Sequence, residues 1–211
     1  MNKALSSTDL LTKKYKLFEF EGEMYEAFDK PERSGTWFIW GNSGNGKTSF
    51  LLELMKELSK FDKVIFNSLE EGNSHTLQRA WQRHKMHECG RRIQIVNESM
   101  ELLKERLRKR QSRKIVVIDS WQYTQMKFAE YLDMKREFPN HLFVINSQAE
   151  GKNPKGRTAM SVMYDASLKI MVEGYKAISK GRYIGNNGGE FIIWAEGALK
   201  YWGNINNENN E

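Results

Sequence analysis

Gly41-Asn42-Ser43-Gly44-Asn45-Gly46-Lys47-Thr48 decides how the rest of the chain is read. The stretch matches G-x-x-x-x-G-K-[ST] in full, and both of its flanks suit the pattern. Before it, Thr36–Trp40 (TWFIW) is strand-like. After it, Phe50, Leu51, Leu54, Met55 and Leu58 recur at helical spacing across Lys47–Lys60. A strand, a glycine-rich turn and a helix in that order aim backbone N–H groups and a helix N-terminus at one point, where they hold a phosphate. Glycines at 41, 44 and 46 allow backbone paths and close approaches that side chains would block. In this pattern Lys47 reaches the β- and γ-phosphates of a nucleotide, and Thr48 ligates Mg²⁺. The residues read as nucleotide-binding run from Gly41 to Ser49.

A companion carboxylate is expected where a buried strand emerges beside this loop. Ile115-Val116-Val117-Ile118-Asp119 supplies it: four apolar residues of the kind buried on both faces of a parallel sheet, then Asp119. Asp119 would hold the Mg²⁺ water shell; its plainer alternative is capping the helix that follows. Other short β-rich runs alternate with helical ones. Strands are predicted at Lys63–Asn67, Arg92–Val96 and His141–Asn146. Helices are predicted at Asn73–Glu88, at Glu98–Arg110 with Leu102, Leu103 and Leu107 inward, and at Met126–Phe138. Ala149–Ala159 reads as a polar, basic loop. Ser167–Val172, Tyr175–Ser179 and Phe191–Ala195 then read as successive strands with a Gly/Asn turn at 185–189. The pattern predicts an α/β fold: a mostly parallel central sheet flanked by helices, closed by antiparallel strands at the C-terminal end.

Composition bounds this reading. With 211 residues, 39% apolar and 28% charged, the chain suits one globular domain and excludes a mainly disordered one. No apolar run approaches the roughly 18 residues of a membrane span, and the N-terminus lacks a secretory signal, so no membrane role and a cytoplasmic location are expected. One cysteine, Cys89, excludes an intrachain disulfide framework. The net charge of +6 is concentrated between Arg79 and Lys114, where 12 Lys/Arg face 4 Asp/Glu. Such a face suits nucleic-acid phosphates, but a solvated helix surface explains it as simply. His84, His87 and Cys89 form H-x-x-H-x-C, a spacing that is not a standard zinc pattern, and helical register turns Cys89 away from His84.

Five features together resemble the RecA-like ATPase core shared by RecA/RadA recombinases, DnaB-type helicases and KaiC-type ATPases. Besides the glycine loop and Asp119, they are Glu70-Glu71 after the second strand, Gln148 at the end of VINSQ, and Lys180-Gly181-Arg182 on the late hairpin. The resemblance covers about residues 35–195. It implies ATP with Mg²⁺, a water-activating carboxylate at Glu70 or Glu71, and a γ-phosphate sensor at Gln148. It also implies a ring or filament of identical subunits in which Lys180 and Arg182 reach a neighbour's ATP. Lys152, Lys155 and Arg157 would contact single-stranded DNA, since relatives bind it at the position after the sensor Gln. Trp121 and Tyr123 are candidate stacking platforms, with helix core as the plainer explanation. On this view residues 1–34 are a partly flexible extension, 35–203 the ATPase core and 204–211 a disordered Asn-rich tail. No F-x-x-A peptide is present and no accessory domain is apparent. The chain therefore looks most like the short RecA-core ATPases of phages and mobile elements. The expected function is ATP hydrolysis coupled to single-stranded DNA in recombination, annealing or replication. A KaiC-like switch without nucleic acid, and a helicase motor or loader, are the alternatives.

Overall fold

A strand with a continuous apolar run must be covered on both faces, and the Trp37–Trp40 run of Gly35–Gly41 (β1) is. Trp37 and Ile39 belong to one buried cluster, Phe38 and Trp40 to the other. The period-two alternation of a strand therefore divides the core into two layers with the sheet between them. The computed structural model describes residues 4–208. The further strands are β2 (Val64–Ser68), β3 (Ile93–Val96), β4 (Ile115–Asp119), β5 (Leu142–Glu150), β6 (Asn153–Pro154), β7 (Leu168–Glu173), β8 (Lys176–Ser179) and β9 (Glu190–Ile192). The helices are α1 (Ser7–Thr12), α2 (Gly22–Phe28), α3 (Lys47–Phe61), α4 (His75–Arg83), α5 (Met100–Arg108), α6 (Phe128–Glu137), α7 (Arg157–Asp165) and α8 (Ala195–Glu208).

The sheet runs β3-β2-β4-β5-β1-β7-β8-β9, with the short β6 paired to β5. From β3 to β7 all neighbours are parallel, and β8 and β9 are antiparallel, in accord with the expected fold class. Register brings the ends that matter to one level. Gly41 pairs with Gln148, Ser68 with Asp119, and Ile118 with Ile145. The C-terminal edge of an open α/β sheet is where such folds place ligands.

Gly41 makes this edge close-packed. A Cβ there would lie 2.1 Å from the Val172 carbonyl oxygen of β7, so only glycine lets the two strands pair at that point. Gly46, at φ +95°, turns the chain into α3, and a Cβ there would crowd the Tyr175 ring at 3.3 Å.

Several expectations change. The Asn73–Glu88 helix stops at Arg83, because Lys85 adopts φ +50° and a 3₁₀ segment, Met86–Arg92, follows. Leu102 is exposed: Met100, Leu103 and Leu107 form the buried stripe of α5, and Leu102 sits about 100° round the helix from Leu103. The strand predicted to Ala195 ends at Ile192, and α8 begins at Ala195. It runs to Glu208, while residues 209–211 of the predicted tail lie outside the described residues. Residues 17–33 join the core. Phe18 packs edge-on to Trp37 and Phe61, each with ring centroids 5.3 Å away, and Phe20, Met24 and Phe28 are buried beside it.

Candidate functional site

The loop after β1, the ends of β2, β4 and β5, and the turn after β7 enclose one cavity of about 570 Å³. Ser43, Gly44, Gly46, Lys47, Thr48, Ser49, Glu70, Glu71, Asp119 and Gln148 line it, so the fold gathers most of the residues singled out from sequence. Gly41, Asn42 and Asn45 shape the loop from outside. The Asn42 side-chain amide donates to the Gly151 carbonyl at 3.1 Å, and the Asn45 side-chain oxygen accepts from the Gly174 N–H at 2.7 Å. The Lys47 ammonium donates to the Asn42 carbonyl at 3.0 Å. Burial draws its pKa below the usual lysine value, against the pull of Asp119 and Glu70.

The two glutamates have different partners. Glu70 accepts from the Ser120 hydroxyl at 2.8 Å and from the Gln148 amide at 3.4 Å, which ties it to the strand ends around the cavity. Glu71 accepts from Ser74 at 3.2 Å and from Thr76 at 3.0 Å, so its carboxylate is engaged at the start of α4. Of the two, Glu70 is the one joined to the γ-phosphate sensor candidate.

Asp119 is buried and accepts from the Asn146 amide at 2.6 Å. Burial, with help from the charges of Glu70 and Glu71, pushes its carboxyl up to about 6; the Asn146 bond and Lys47 oppose the shift. Thr48 lines the same cavity; its hydroxyl and the Asp119 carboxylate are hard oxygen donors of the kind suited to Mg²⁺, and a carboxylate that is costly to ionise alone is one that a cation would satisfy. Because the folded pKa exceeds the unfolded one, the folded state holds an extra proton between about pH 4 and 6. Stability is then lost as pH rises through that window, by about 3 kcal/mol. Asp119→Asn removes the penalty. In chelator, the variant should melt above wild type at pH 7.5 and together with it at pH 4. Coincident melting curves at both pH values would show that Asp119 carries no such cost.

Gln122 and Tyr175 are site residues that sequence reading did not single out. Gln122, in the 3₁₀ turn Trp121–Thr124, accepts from the Gln148 N–H at 3.1 Å and donates to Ser147 Oγ at 2.8 Å and to the Lys155 carbonyl at 3.1 Å. Tyr175 lines the cavity over Gly46 and meets Trp194 edge-on at 4.9 Å. A lone glutamine and a turn tyrosine give no pattern to read. Trp121 is buried, whereas Tyr123 is half exposed.

The predicted basic loop is a short hairpin. β5 continues to Glu150, β6 returns along it, and α7 begins at Arg157. Its tip is fastened to the phosphate loop by the Asn42 bond and by Trp40 Nε1, which donates to the Lys152 carbonyl at 3.0 Å. All three cations are exposed; Lys155 lines the cavity, and Lys152 and Arg157 lie outside it. Lys180 and Arg182 lie elsewhere. The Lys180 N–H bonds the Lys169 carbonyl, and Lys169 pairs with Phe38, so Lys180 stands roughly 10 Å below Gly41 along the strands and two strands aside. Arg182 is lower still, near Asp165. Neither reaches its own chain's cavity.

The broad basic segment is partly taken up by structure. Arg113 donates to the Arg91 and Arg92 carbonyls, Arg92 to Lys60, Arg106 pairs with Glu98 and Arg108 with Glu137. His84 pairs with Glu53 at 2.7 Å and Cys89 is buried; among the described residues no group of three or more His, Cys, Asp or Glu side chains could hold a metal ion. No helix among the described residues is long and apolar enough to cross a membrane.

No family model matches the chain, and no curated protein matches it. Solved structures do. The flagellar accessory protein FlaH from Methanocaldococcus jannaschii superposes with a TM-score of 0.60 at 10% identity, over 86% of this chain and 96% of that one. The KaiC-like protein PH0186 from Pyrococcus horikoshii OT3 gives 0.60 at 15% identity, over 86% and 99%. The likeness to both spans nearly their whole length, and the glycine loop lies on the sheet edge where such folds place ligands. The chain has a RecA-like fold, a mostly parallel sheet flanked by helices and closed by antiparallel strands.

Proposed function

We propose that the chain binds ATP with Mg²⁺ and hydrolyses it, and that turnover is coupled to single-stranded DNA. The observation that carries the first part is one cavity holding the Lys47–Thr48 loop, Asp119 at the end of β4 with β5 between it and β1, and the Glu70–Gln148 pair. The loop N–H groups and Lys47 bind the phosphates. Thr48 and Asp119 would hold Mg²⁺, which supplies neutralisation of phosphate charge. Glu70 takes the proton of the attacking water, and Gln148, bonded to Glu70, orients that water at the γ-phosphorus. Tyr175, which lines the cavity and is backed edge-on by Trp194, is proposed to stack on the nucleobase.

Support for the DNA part is the hairpin after Gln148, with Lys152 and Arg157 exposed and Tyr123 exposed on the turn that Gln122 bonds to it. Cations there supply backbone affinity and the ring supplies stacking. The test is the ATP turnover rate with and without single-stranded DNA at two salt concentrations. Stimulation that weakens as salt rises is the expected result. Turnover indifferent to DNA would remove the nucleic-acid part and leave an ATP-switched protein of the KaiC kind. Lys180 and Arg182 are proposed to act in a neighbouring subunit of a homo-oligomer.

A further inference from the structure

Three carboxylates, Glu70, Glu71 and Asp119, line the cavity, and the described cations that line it are Lys47 and Lys155. Sequence proximity groups Lys155 with Lys152 and Arg157, yet its place differs from theirs. Its N–H donates to the Gln148 carbonyl at 2.9 Å and its own carbonyl accepts from the Gln122 amide at 3.1 Å. Its backbone is thus held on both sides, directly beside the γ-phosphate sensor. The Gln122 amide cannot be turned round without setting its N–H₂ against the Gln148 N–H and its oxygen against the Lys155 carbonyl, so the network fixes its orientation. The tip contacts from Trp40 and Asn42 hold the other end of the hairpin.

We propose that Lys155 is a catalytic residue acting in cis on the γ-phosphoryl group of the nucleotide, and that Gln122 is the residue that positions it. This rests on the nucleotide reading of the cavity and assigns to one chain a cation at the end where charge develops during transfer. Lys47 spans the β- and γ-phosphates. Lys180 and Arg182 are out of reach on the same chain. A second cation at the Gln148 end therefore adds, from the same chain, to whatever charge a neighbour supplies. No covalent step is added: Lys155 contributes charge and hydrogen bonds to oxygens that leave with inorganic phosphate.

The test compares Lys155→Ala with wild type for binding of a non-hydrolysable ATP analogue and of ADP, each with Mg²⁺, and for DNA-free turnover. The analogue should bind about 10-fold more weakly, ADP within about 2-fold, and kcat should fall on the order of 100-fold. Lys155→Arg should recover part of the loss. Gln122→Ala should show the same preference for losing the analogue over ADP, to a smaller extent. Equal weakening for both nucleotides, or none for either, overturns the proposal. Unchanged nucleotide binding with reduced affinity for single-stranded DNA overturns it too, and returns Lys155 to the nucleic-acid face. If the wild-type chain binds neither nucleotide, the nucleotide reading itself fails, and this proposal with it.

Discussion

Lys47→Ala should weaken ATP binding by more than about 100-fold while leaving the nucleotide-free protein as stable as wild type. Both halves of that expectation come from the same environment. The ammonium is partly buried, and burial lowers its pKa, so the folded chain gains little from carrying the charge when no phosphate is present. Its partner in the absence of ligand is one carbonyl, that of Asn42. Once a phosphate enters, the same ammonium makes charge-assisted bonds in a desolvated site, worth several kcal/mol together with its Coulomb attraction. Titration with a fluorescent ATP analogue, alongside a melting curve in the absence of nucleotide, separates the two. Tight binding by a well-folded variant would contradict the assignment of the loop. Binding lost together with a large fall in melting temperature would show that Lys47 serves the fold instead.

Glu70→Gln is expected to retain nucleotide binding and to lower kcat by about 1,000-fold, the scale of a missing general base. The amide keeps its shape and can still meet Ser120 or Gln148, so local packing changes little. What disappears is the ability to take a proton. Glu71→Gln should alter kcat by less than about 5-fold, because the Glu71 carboxylate is occupied by the hydroxyls of Ser74 and Thr76. Single-turnover measurements on both variants decide the matter. If the larger loss falls on Glu71→Gln, the α4 hydroxyls are a resting arrangement and the base has been misassigned.

The parts of the fold legible in the sequence are those with a local signature. The loop announces itself by spacing, and the four apolar residues before Asp119 announce a strand buried on both faces. Contacts made at long range leave no such trace. Phe18 and Phe20 lie in a segment without helical or strand period, yet they bury against Trp37 and Phe61. Lys155 resembles Lys152 and Arg157 because all three are basic and close in sequence; the return strand β6 parts it from Lys152, and Arg157 already belongs to α7. Gln122 acquires meaning through Gln148, 26 residues away, and no spacing rule connects them. Leu102 shows the reverse limit, an apolar residue in a good helix that reads as inward while the register of α5 turns it to solvent.

The position of Lys180 and Arg182 bears on what counts as one complete unit of this protein. β8 carries them away from the edge where ATP is proposed to bind, so on a single chain they and that edge cannot meet. If these cations serve a nucleotide, the working unit is a junction and not a chain. Activity per chain would then fall on dilution, and one inert copy would silence a neighbour's site as well as its own.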